Sequence, residues 1–142
     1  MHYKTKVEFV LEPVGTPEVF IVVGQQLLNR VITKTERIIF DLEVPAVTIP
    51  LRVSLLNKSD NDPTTAVIIQ ELCINGISDP KFVWAGTYYP DYPKVWAKQQ
   101  RDLDLAITNT NYLGWNGTWN LDITIPAFTW MHQTLNLGWI YK

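Results

Sequence analysis

The chain has 142 residues, of which 46% are hydrophobic and 18% charged, and its formal net charge is −2. This size and balance suit one globular domain with a sizeable core rather than a disordered chain. The slight acidity argues against duplex nucleic acid as a ligand, since phosphate binding needs clustered Lys and Arg, and no apolar stretch is long enough for a membrane span.

Short runs with strand character follow one another through the first half of the chain. The run 6–11 alternates polar and apolar residues, whereas the run 19–23 is apolar throughout and is predicted to be buried on both faces. Further strands are predicted over residues 27–32, 37–44 and 51–56. Turn and strand-breaking residues such as Gly15, Gly24 and Pro45 separate these runs.

The second half begins with the strongest turn signal, residues 57–63, which are rich in Asn and Asp. Residues 65–74 are the longest strand candidate and end at Asn75-Gly76, a pair favoured in tight hairpin turns. Residues 81–85 are predicted to continue this strand.

Residues 86–102 change in composition, because Tyr and Trp are interleaved with Pro there. This segment is predicted to be a long ordered loop, in which only residues 95–101 could make a short helix. Strand character then returns in three runs, which are residues 119–125, 128–131 and 137–141.

The spacing of these runs decides the fold class. Seven or more short strands, about ten residues apart, predict an all-β fold: a two-sheet antiparallel β-sandwich of jelly-roll type over residues 1–142. A barrel has the same local pattern and stays open as an alternative. Helical periodicity is scarce, so little helix is expected.

Templates for catalysis do not fit the residue inventory. The chain has two histidines, His2 near its beginning and His132, and no serine lies in a Gly-x-Ser-x-Gly elbow. The carboxylate pair of a glycosidase is left open by sequence alone, although the acidic residues occupy ordinary strand and turn positions. The chain is therefore predicted not to be an enzyme. Its single cysteine, Cys73, lies in an apolar run and is predicted to be a buried small hydrophobe.

Aromatic residues are the first candidate binding feature. Aromatic faces stack on sugar rings, and aromatics beside prolines also form rigid protein interfaces. Five residues in the predicted loop or further along the chain are therefore predicted to bind a ligand or partner at the surface: Tyr88, Tyr89, Tyr92, Trp96 and Trp115. Three others lie in or beside strand runs and are predicted to belong to the core: Trp84, Trp119 and Trp130.

Oxygen-bearing side chains in the turn 57–63 are the second candidate. Asn57, Asp60 and Asp62 could supply the hard oxygen ligands that calcium prefers, although their spacing is not that of an EF-hand. The alternative is a polar turn whose Asn and Asp side chains bond to nearby backbone groups. No cofactor is predicted, with calcium at these three residues as the candidate exception.

Residues 55–76 resemble part of the calcium-dependent xylan-binding carbohydrate modules. The shared pattern is an acidic loop, here Asp60-Asn61-Asp62, followed by a strand that ends in Asn75-Gly76. The family's Asp-Arg-Asn before that strand, which supplies calcium and sugar ligands, is replaced by Thr64-Thr65-Ala66, and a late acidic position by Gln70. The resemblance implies a sandwich of carbohydrate-binding-module type whose calcium-mediated sugar site is lost or moved.

Two other segments are similar to uncharacterised proteins of tailed bacteriophages, especially those of marine and cyanobacterial hosts. One is an Ile-x-Ile-x-Gly-Ile segment, matched by residues 72–77. The other is a late Gly-x-Asn-Gly-x-Trp-x-Leu signature followed by Pro-x-aromatic-x-Trp, matched by residues 114–121 and 126–130. This resemblance implies a phage-encoded sandwich domain that is built into the virion.

The function predicted from these features is that of a non-enzymatic virion structural protein: a capsid decoration, neck or tail-associated subunit. It would contact other virion proteins, form a homo-oligomer and be made in the host cytoplasm, since no secretory signal precedes the first strand. The alternative is a carbohydrate-binding module with an aromatic platform, calcium-dependent in one version, whose partner is a polysaccharide. Neither nucleic acid nor a membrane is expected as a partner.

Overall fold

A computed structural model of the chain describes residues 2–59, 64–92, 97–98, 100, 103 and 105–135. Its strands and helices are β1 (Tyr3–Val14), β2 (Glu18–Val23), β3 (Gln26–Val31), β4 (Glu36–Val44), β5 (Thr48–Leu55), β6 (Ala66–Ile74), β7 (Ile77–Ser78), α1 (Pro80–Trp84), β8 (Thr87–Pro90), β9 (Ile107–Thr108), β10 (Tyr112–Leu113), β11 (Gly117–Thr124) and α2 (Ala127–Leu135).

These strands form two separate sheets, and every strand pair is antiparallel. The first sheet has the order β10-β6-β1-β4, with β7 paired to β6, and the second has the order β3-β2-β5-β11-β8-β9. The buried apolar residues of both sheets form one core cluster. The predicted two-sheet antiparallel sandwich is confirmed, and the barrel alternative is excluded because the sheets stay separate.

Alternation of apolar and polar residues explains why these segments form strands. In β4, for example, Ile38, Phe40 and Leu42 are buried while the residues between them face solvent. Successive side chains of a strand point to opposite faces, so this pattern buries one face of the sheet and leaves the other in water.

Strand β2 departs from its predicted burial on both faces. Val19, Ile21 and Val23 are fully buried, but Phe20 and Val22 between them are only half-buried. The prediction is wrong because the outer face of the second sheet is not covered by another layer at these positions.

Trp119 of β11 is the central side chain of the core. It is fully buried, and its ring meets the edge of Phe9 from the opposite sheet at a centroid distance of 5.9 Å and an interplanar angle of 89°. An aromatic pair of this kind contributes about 0.5–1.5 kcal/mol to stability, in addition to the hydrophobic contribution of the area that it buries. The indole Nε1–H donates to the backbone carbonyl of Val83 at 3.2 Å, so burial leaves this polar group hydrogen-bonded.

Residues 81–85, predicted as a strand, instead belong largely to helix α1. Asp79 is the N-cap: its Oδ1 accepts a hydrogen bond from the backbone N–H of Lys81 at 2.9 Å. Pro80 occupies the first helical position, where its missing N–H costs nothing. This Asp-Pro start is a helix signal that outweighs the short apolar run.

Residues 128–131, also predicted as a strand, lie in helix α2. Its buried residues Ala127, Trp130 and Met131 are three and four positions apart, which is the spacing of one helix face. Trp130 packs on Phe82 of α1 with a ring-centroid distance of 5.3 Å. Among the described residues, no helix has the length and apolar composition of a membrane span.

The remaining predictions of elements have different outcomes. The predicted loop 86–102 begins as strand β8, which is paired with β11. The predicted terminal strand over residues 137–141 lies outside the described residues, as does most of the segment 95–101.

The outer face of the first sheet carries a network of charges. Arg37 of β4 lies 3.7 Å from a carboxylate oxygen of Glu8 on the neighbouring strand β1 and 3.2 Å from one of Glu71 on β6, the next strand beyond β1. Cys73 is paired with Glu8 in the same sheet and is buried, as predicted. Burial raises the pKa of its thiol, and the hydrogen bond and negative charge of Glu8 and the charge of Glu71 raise it further.

The packing around Trp119 leaves no room for a side chain at Gly86. A Cβ added there would lie 2.3 Å from ring atoms of Trp119. We expect Gly86→Ala to lower the free energy of unfolding by about 1–3 kcal/mol, measured by urea denaturation. Ala85→Ser adds one atom at the exposed neighbouring position and should change stability by less than about 0.5 kcal/mol. Equal stability of the two variants would contradict this packing.

The raised pKa of Cys73 predicts a slow thiol. A higher pKa means less thiolate at any given pH, and the thiolate is the reactive form. We expect iodoacetamide at mildly alkaline pH to modify the folded protein at least about tenfold more slowly than the urea-unfolded protein. Mass spectrometry over time measures both rates, and similar rates would show that the thiol is accessible in the folded state.

Candidate functional site

The connections that meet at one end of the sandwich form the candidate site. Gly117, the first residue of β11, is paired with Leu55 at the end of β5 and with Pro90 at the end of β8. The segments that follow β5 and β8 and the segment that precedes β11 therefore leave the second sheet side by side. We call the residues that they bring together the loop-end cluster: Lys58, Asp91, Tyr92, Trp115 and Asn116.

Asn116 ties these three connections together. Its Oδ1 accepts a hydrogen bond from the backbone N–H of Lys58 at 2.8 Å, and its Nδ2 donates to the backbone carbonyl of Lys58 at 2.8 Å. Its own backbone carbonyl accepts a hydrogen bond from the backbone N–H of Asp91. Asn116 therefore links all three segments by hydrogen bonds once the strand pairings have brought them together.

The indole ring of Trp115 is the centre of the cluster. It is half-buried, and the ring of Tyr92 meets it at a centroid distance of 5.4 Å and an angle of 71°. The ammonium group of Lys58 lies 5.1 Å from the centre of the Trp115 ring. A cation in this position stabilises the arrangement by about 0.5–1 kcal/mol at a partly exposed site.

The backbone of Trp115 is held by Tyr88 of β8. The Tyr88 hydroxyl donates to the carbonyl of Trp115 and accepts from the backbone N–H of Trp115, the latter at 3.0 Å. Burial raises the pKa of the Tyr88 hydroxyl, so it remains protonated and able to donate. The indole ring is therefore presented from a fixed backbone.

The predicted surface position is wrong for Tyr88, which is 1% exposed. The reason is that residues 87–90 form a strand, so its successive side chains point to opposite faces. Tyr88 points to the core beside Trp119, whereas Tyr89 lies on the outer face of the second sheet and is 50% exposed. Tyr88 can position the cluster but cannot itself stack on a ligand.

The predicted exposure of the other aromatic residues is confirmed for some and wrong for others. Trp119 and Trp130 are buried, as predicted, but Trp84 at the end of α1 is 48% exposed, so its predicted core position is wrong. Tyr92 is half-buried against Trp115, and Trp96 lies outside the described residues.

Asn57, a predicted calcium ligand, connects the turn after β5 to the start of β2. Its Oδ1 accepts from the backbone N–H of Glu18 at 2.8 Å, and its Nδ2 donates to the backbone carbonyl of Thr16 at 3.0 Å. Asp60 and Asp62 lie outside the described residues. Within the part of the chain that the structure describes, no three His, Cys, Asp or Glu residues gather to hold a metal ion.

Two open cavities lie at the opposite end of the sandwich from the loop-end cluster. One, of 480 Å³, is lined by strand residues that include Lys4, Asp41 and Glu43, and the other, of 590 Å³, extends from Gly24 to Pro50. Neither is lined by an aromatic residue or by any predicted site residue. These two cavities therefore lack the aromatic rings that the loop-end cluster provides.

Sequence reasoning did not find three members of the cluster: Lys58, Asp91 and Asn116. All three lie in connections between strands, and the contact between Lys58 and Asn116 joins residues 58 positions apart. The available signal was the Asn116-Gly117 pair directly after Trp115, since Asn-Gly pairs mark tight turns.

The chain is similar in fold to known protein structures. No family model matches the chain, and no curated protein matches it. Among solved structures it is similar to "vCBM60 in complex with galactobiose", with a TM-score of 0.56 and 16% identity over 83% of this chain and 99% of that one. This chain has the fold of a carbohydrate-binding module.

A second solved structure agrees with the first. It is the SeMet form of vCBM60, in which circular permutation provides an evolutionary link between two families of calcium-dependent carbohydrate binding modules. The TM-score is 0.58 and the identity 13%, over 82% of this chain and 88% of that one. The part of the predicted resemblance that concerned such modules is thus supported at the level of fold, whereas the phage origin stays a prediction.

The hydrogen bonds of Asn116 predict its contribution to stability. Asn116→Ala removes two side-chain hydrogen bonds to Lys58, each with a net contribution of about 0.5–1.5 kcal/mol, so we expect a loss of about 1–3 kcal/mol in urea unfolding. Asn29→Ala, at an exposed position of β3, should cost less than about 0.5 kcal/mol. Equal effects of the two substitutions would refute the tie between the connections.

Proposed function

We propose that the domain is a non-catalytic carbohydrate-binding module that holds its glycan at the loop-end cluster. The observation that carries the proposal is the half-buried ring of Trp115, held by Tyr88 and flanked by Tyr92, on a fold that is similar to carbohydrate-binding modules. The sequence predicted a carbohydrate-binding module as the alternative to a virion structural protein, and the proposal follows that alternative.

The chemistry of the cluster suits a sugar. The apolar face of a sugar ring stacks on an aromatic ring, while its hydroxyl groups need donors and acceptors nearby. Trp115 and Tyr92 provide the rings, the ammonium group of Lys58 lies over the Trp115 ring, and Asp91, next to Tyr92 in the chain, is exposed. Because the backbone is already fixed by Tyr88 and Asn116, little ordering entropy is lost when a ligand binds.

The proposal leaves open whether glycan binding depends on calcium. One of the two similar structures, the SeMet form of vCBM60, is a calcium-dependent carbohydrate binding module. In this chain the candidate acidic ligands Asp60 and Asp62 come soon after Lys58 in the sequence. The amide of Asn57 is already hydrogen-bonded to two backbone groups, which favours a structural role for this residue. Binding should therefore be compared in calcium and in a chelator.

That the protein is a virion subunit, forms a homo-oligomer and is located in the phage particle stays a prediction. It draws on the phage-like segments and the aromatic residues, and a virion subunit could also use a glycan-binding surface. The absence of catalysis belongs to the present proposal, and release of reducing ends from a polysaccharide would contradict it.

Removal of the Trp115 ring tests the proposal. Wild-type protein should be retarded by at least one neutral polysaccharide, such as a galactan or a xylan, in affinity electrophoresis. Trp115→Ala should weaken that binding at least about tenfold, equivalent to about 1.4 kcal/mol, because the stacking surface is lost.

Trp84→Ala is the matched control, since this exposed tryptophan lies outside the cluster. It should bind like the wild type, and both variants should be checked for folding by circular dichroism. No retardation of the wild type by any polysaccharide, with or without calcium, would sink the proposal, as would equal effects of the two substitutions.

A further inference from the structure

Among the described residues, no further layer packs on the outer face of the second sheet, and this face carries mainly uncharged polar and aromatic side chains at its centre. The strand register places one row of side chains across five strands: Tyr89, Thr118, Ser54, Phe20 and Asn29. The adjacent row lies two residues away on each strand and consists of Thr87, Asn120, Arg52, Val22 and Leu27. All of these side chains are exposed or half-exposed.

The dimensions of this face suit an extended ligand. Neighbouring strands are about 4.8 Å apart, so Tyr89 and Phe20, three strands away from each other, are separated by about 14 Å. The two rows are about 7 Å apart along the strands. A chain lying across the strands would therefore meet an aromatic ring near each end of the first row and polar groups between them.

The polar groups between the rings are hydroxyls and amides that hold one another in place. Ser54 Oγ and Thr118 Oγ1 are 2.8 Å apart, and Arg52 Nε donates to Asn120 Oδ1 at 2.9 Å. Each hydroxyl can make further hydrogen bonds, and the guanidinium group of Arg52 has four more N–H donors. These groups are pre-oriented to donate to and accept from hydroxyl groups of a ligand.

The charge of this face indicates what kind of ligand fits it. Arg52 is the only charged residue in these two rows as they cross β8, β11, β5 and β2. The outer face of the first sheet is different, because it carries Glu8, Arg37 and Glu71 in an ion-pair network. A surface of hydroxyls and amides between aromatic rings complements a neutral, hydroxyl-rich chain better than an ionic one.

We infer that the outer face of the second sheet binds a neutral polysaccharide chain that lies across the strands and extends from the loop-end cluster. The continuity is direct: Tyr89 pairs with Thr118, one residue from the Pro90–Gly117 pair where the cluster begins. The inference rests on the proposed function, since it assigns a second surface for the same ligand class.

The test compares Tyr89→Ala with Tyr112→Ala, a tyrosine of nearly equal exposure (49% against 50%) in the first sheet. Calorimetric titrations use whichever of a galactan and a xylan retards the wild type, together with the corresponding disaccharide, and Trp115→Ala is measured in parallel. We expect Tyr89→Ala to weaken polysaccharide binding at least about fivefold while leaving disaccharide binding unchanged. Tyr112→Ala should change neither, and Trp115→Ala should weaken both.

A second variant keeps the test valid if Tyr89→Ala does not fold. Thr87→Val keeps the β-branched shape and replaces the hydroxyl with a methyl group, so it should weaken polysaccharide binding in the same direction as Tyr89→Ala but by a smaller factor. Equal binding by Tyr89→Ala, Thr87→Val and the wild type would overturn the inference while leaving the proposed function intact. Tighter binding of an acidic polymer than of a neutral one would also overturn it, as would a dimer in light scattering that Tyr89→Ala dissociates. No binding by the wild type would instead remove the proposed function itself.

Discussion

The close approach of β11 to β8 at Gly117 is the constraint on which the candidate site depends. The φ angle of Gly117 is +149°, and a Cβ at this position would lie 2.3 Å from the backbone carbonyl oxygen of Tyr89. Only glycine allows the two backbones to meet there. Because they do, the connections that carry Tyr92 and Trp115 leave the sheet beside each other, and Asn116 can reach Lys58.

Strands β8 and β11 join the core to the site through alternate side chains. Trp119 points inward and meets Phe9 of the other sheet, while Thr118 and Asn120 point outward. Tyr88 also points inward, and its hydroxyl holds the backbone of Trp115. The stability of the core and the position of the cluster therefore both depend on β8 and β11. Substitutions that disturb packing in these strands should affect both.

The two outer faces of the sandwich differ in chemistry although they belong to one fold. The first sheet presents paired charges, with Arg37 between Glu8 and Glu71. Exposed ion pairs of this kind add little stability, and they favour solubility over ligand binding. The two rows described on the second sheet instead present hydroxyls, amides, aromatic and aliphatic side chains with Arg52 as their one charged residue, and such groups suit recognition of neutral sugars. The fold accommodates both because only the inner faces must be apolar.

Sequence alone determined the fold class and much of the core, because alternate apolar residues must be buried wherever a strand packs on a second layer. The pattern in β4 and the burial of Trp119 follow from this rule. Tertiary structure decided what local pattern cannot encode. Which of Tyr88 and Tyr89 points inward depends on the register with β11, and the meeting of residues 58, 92 and 115 depends on strand pairings between distant segments. Helix α2 was missed since a short apolar run fits a strand as well as a helix until its neighbours are known.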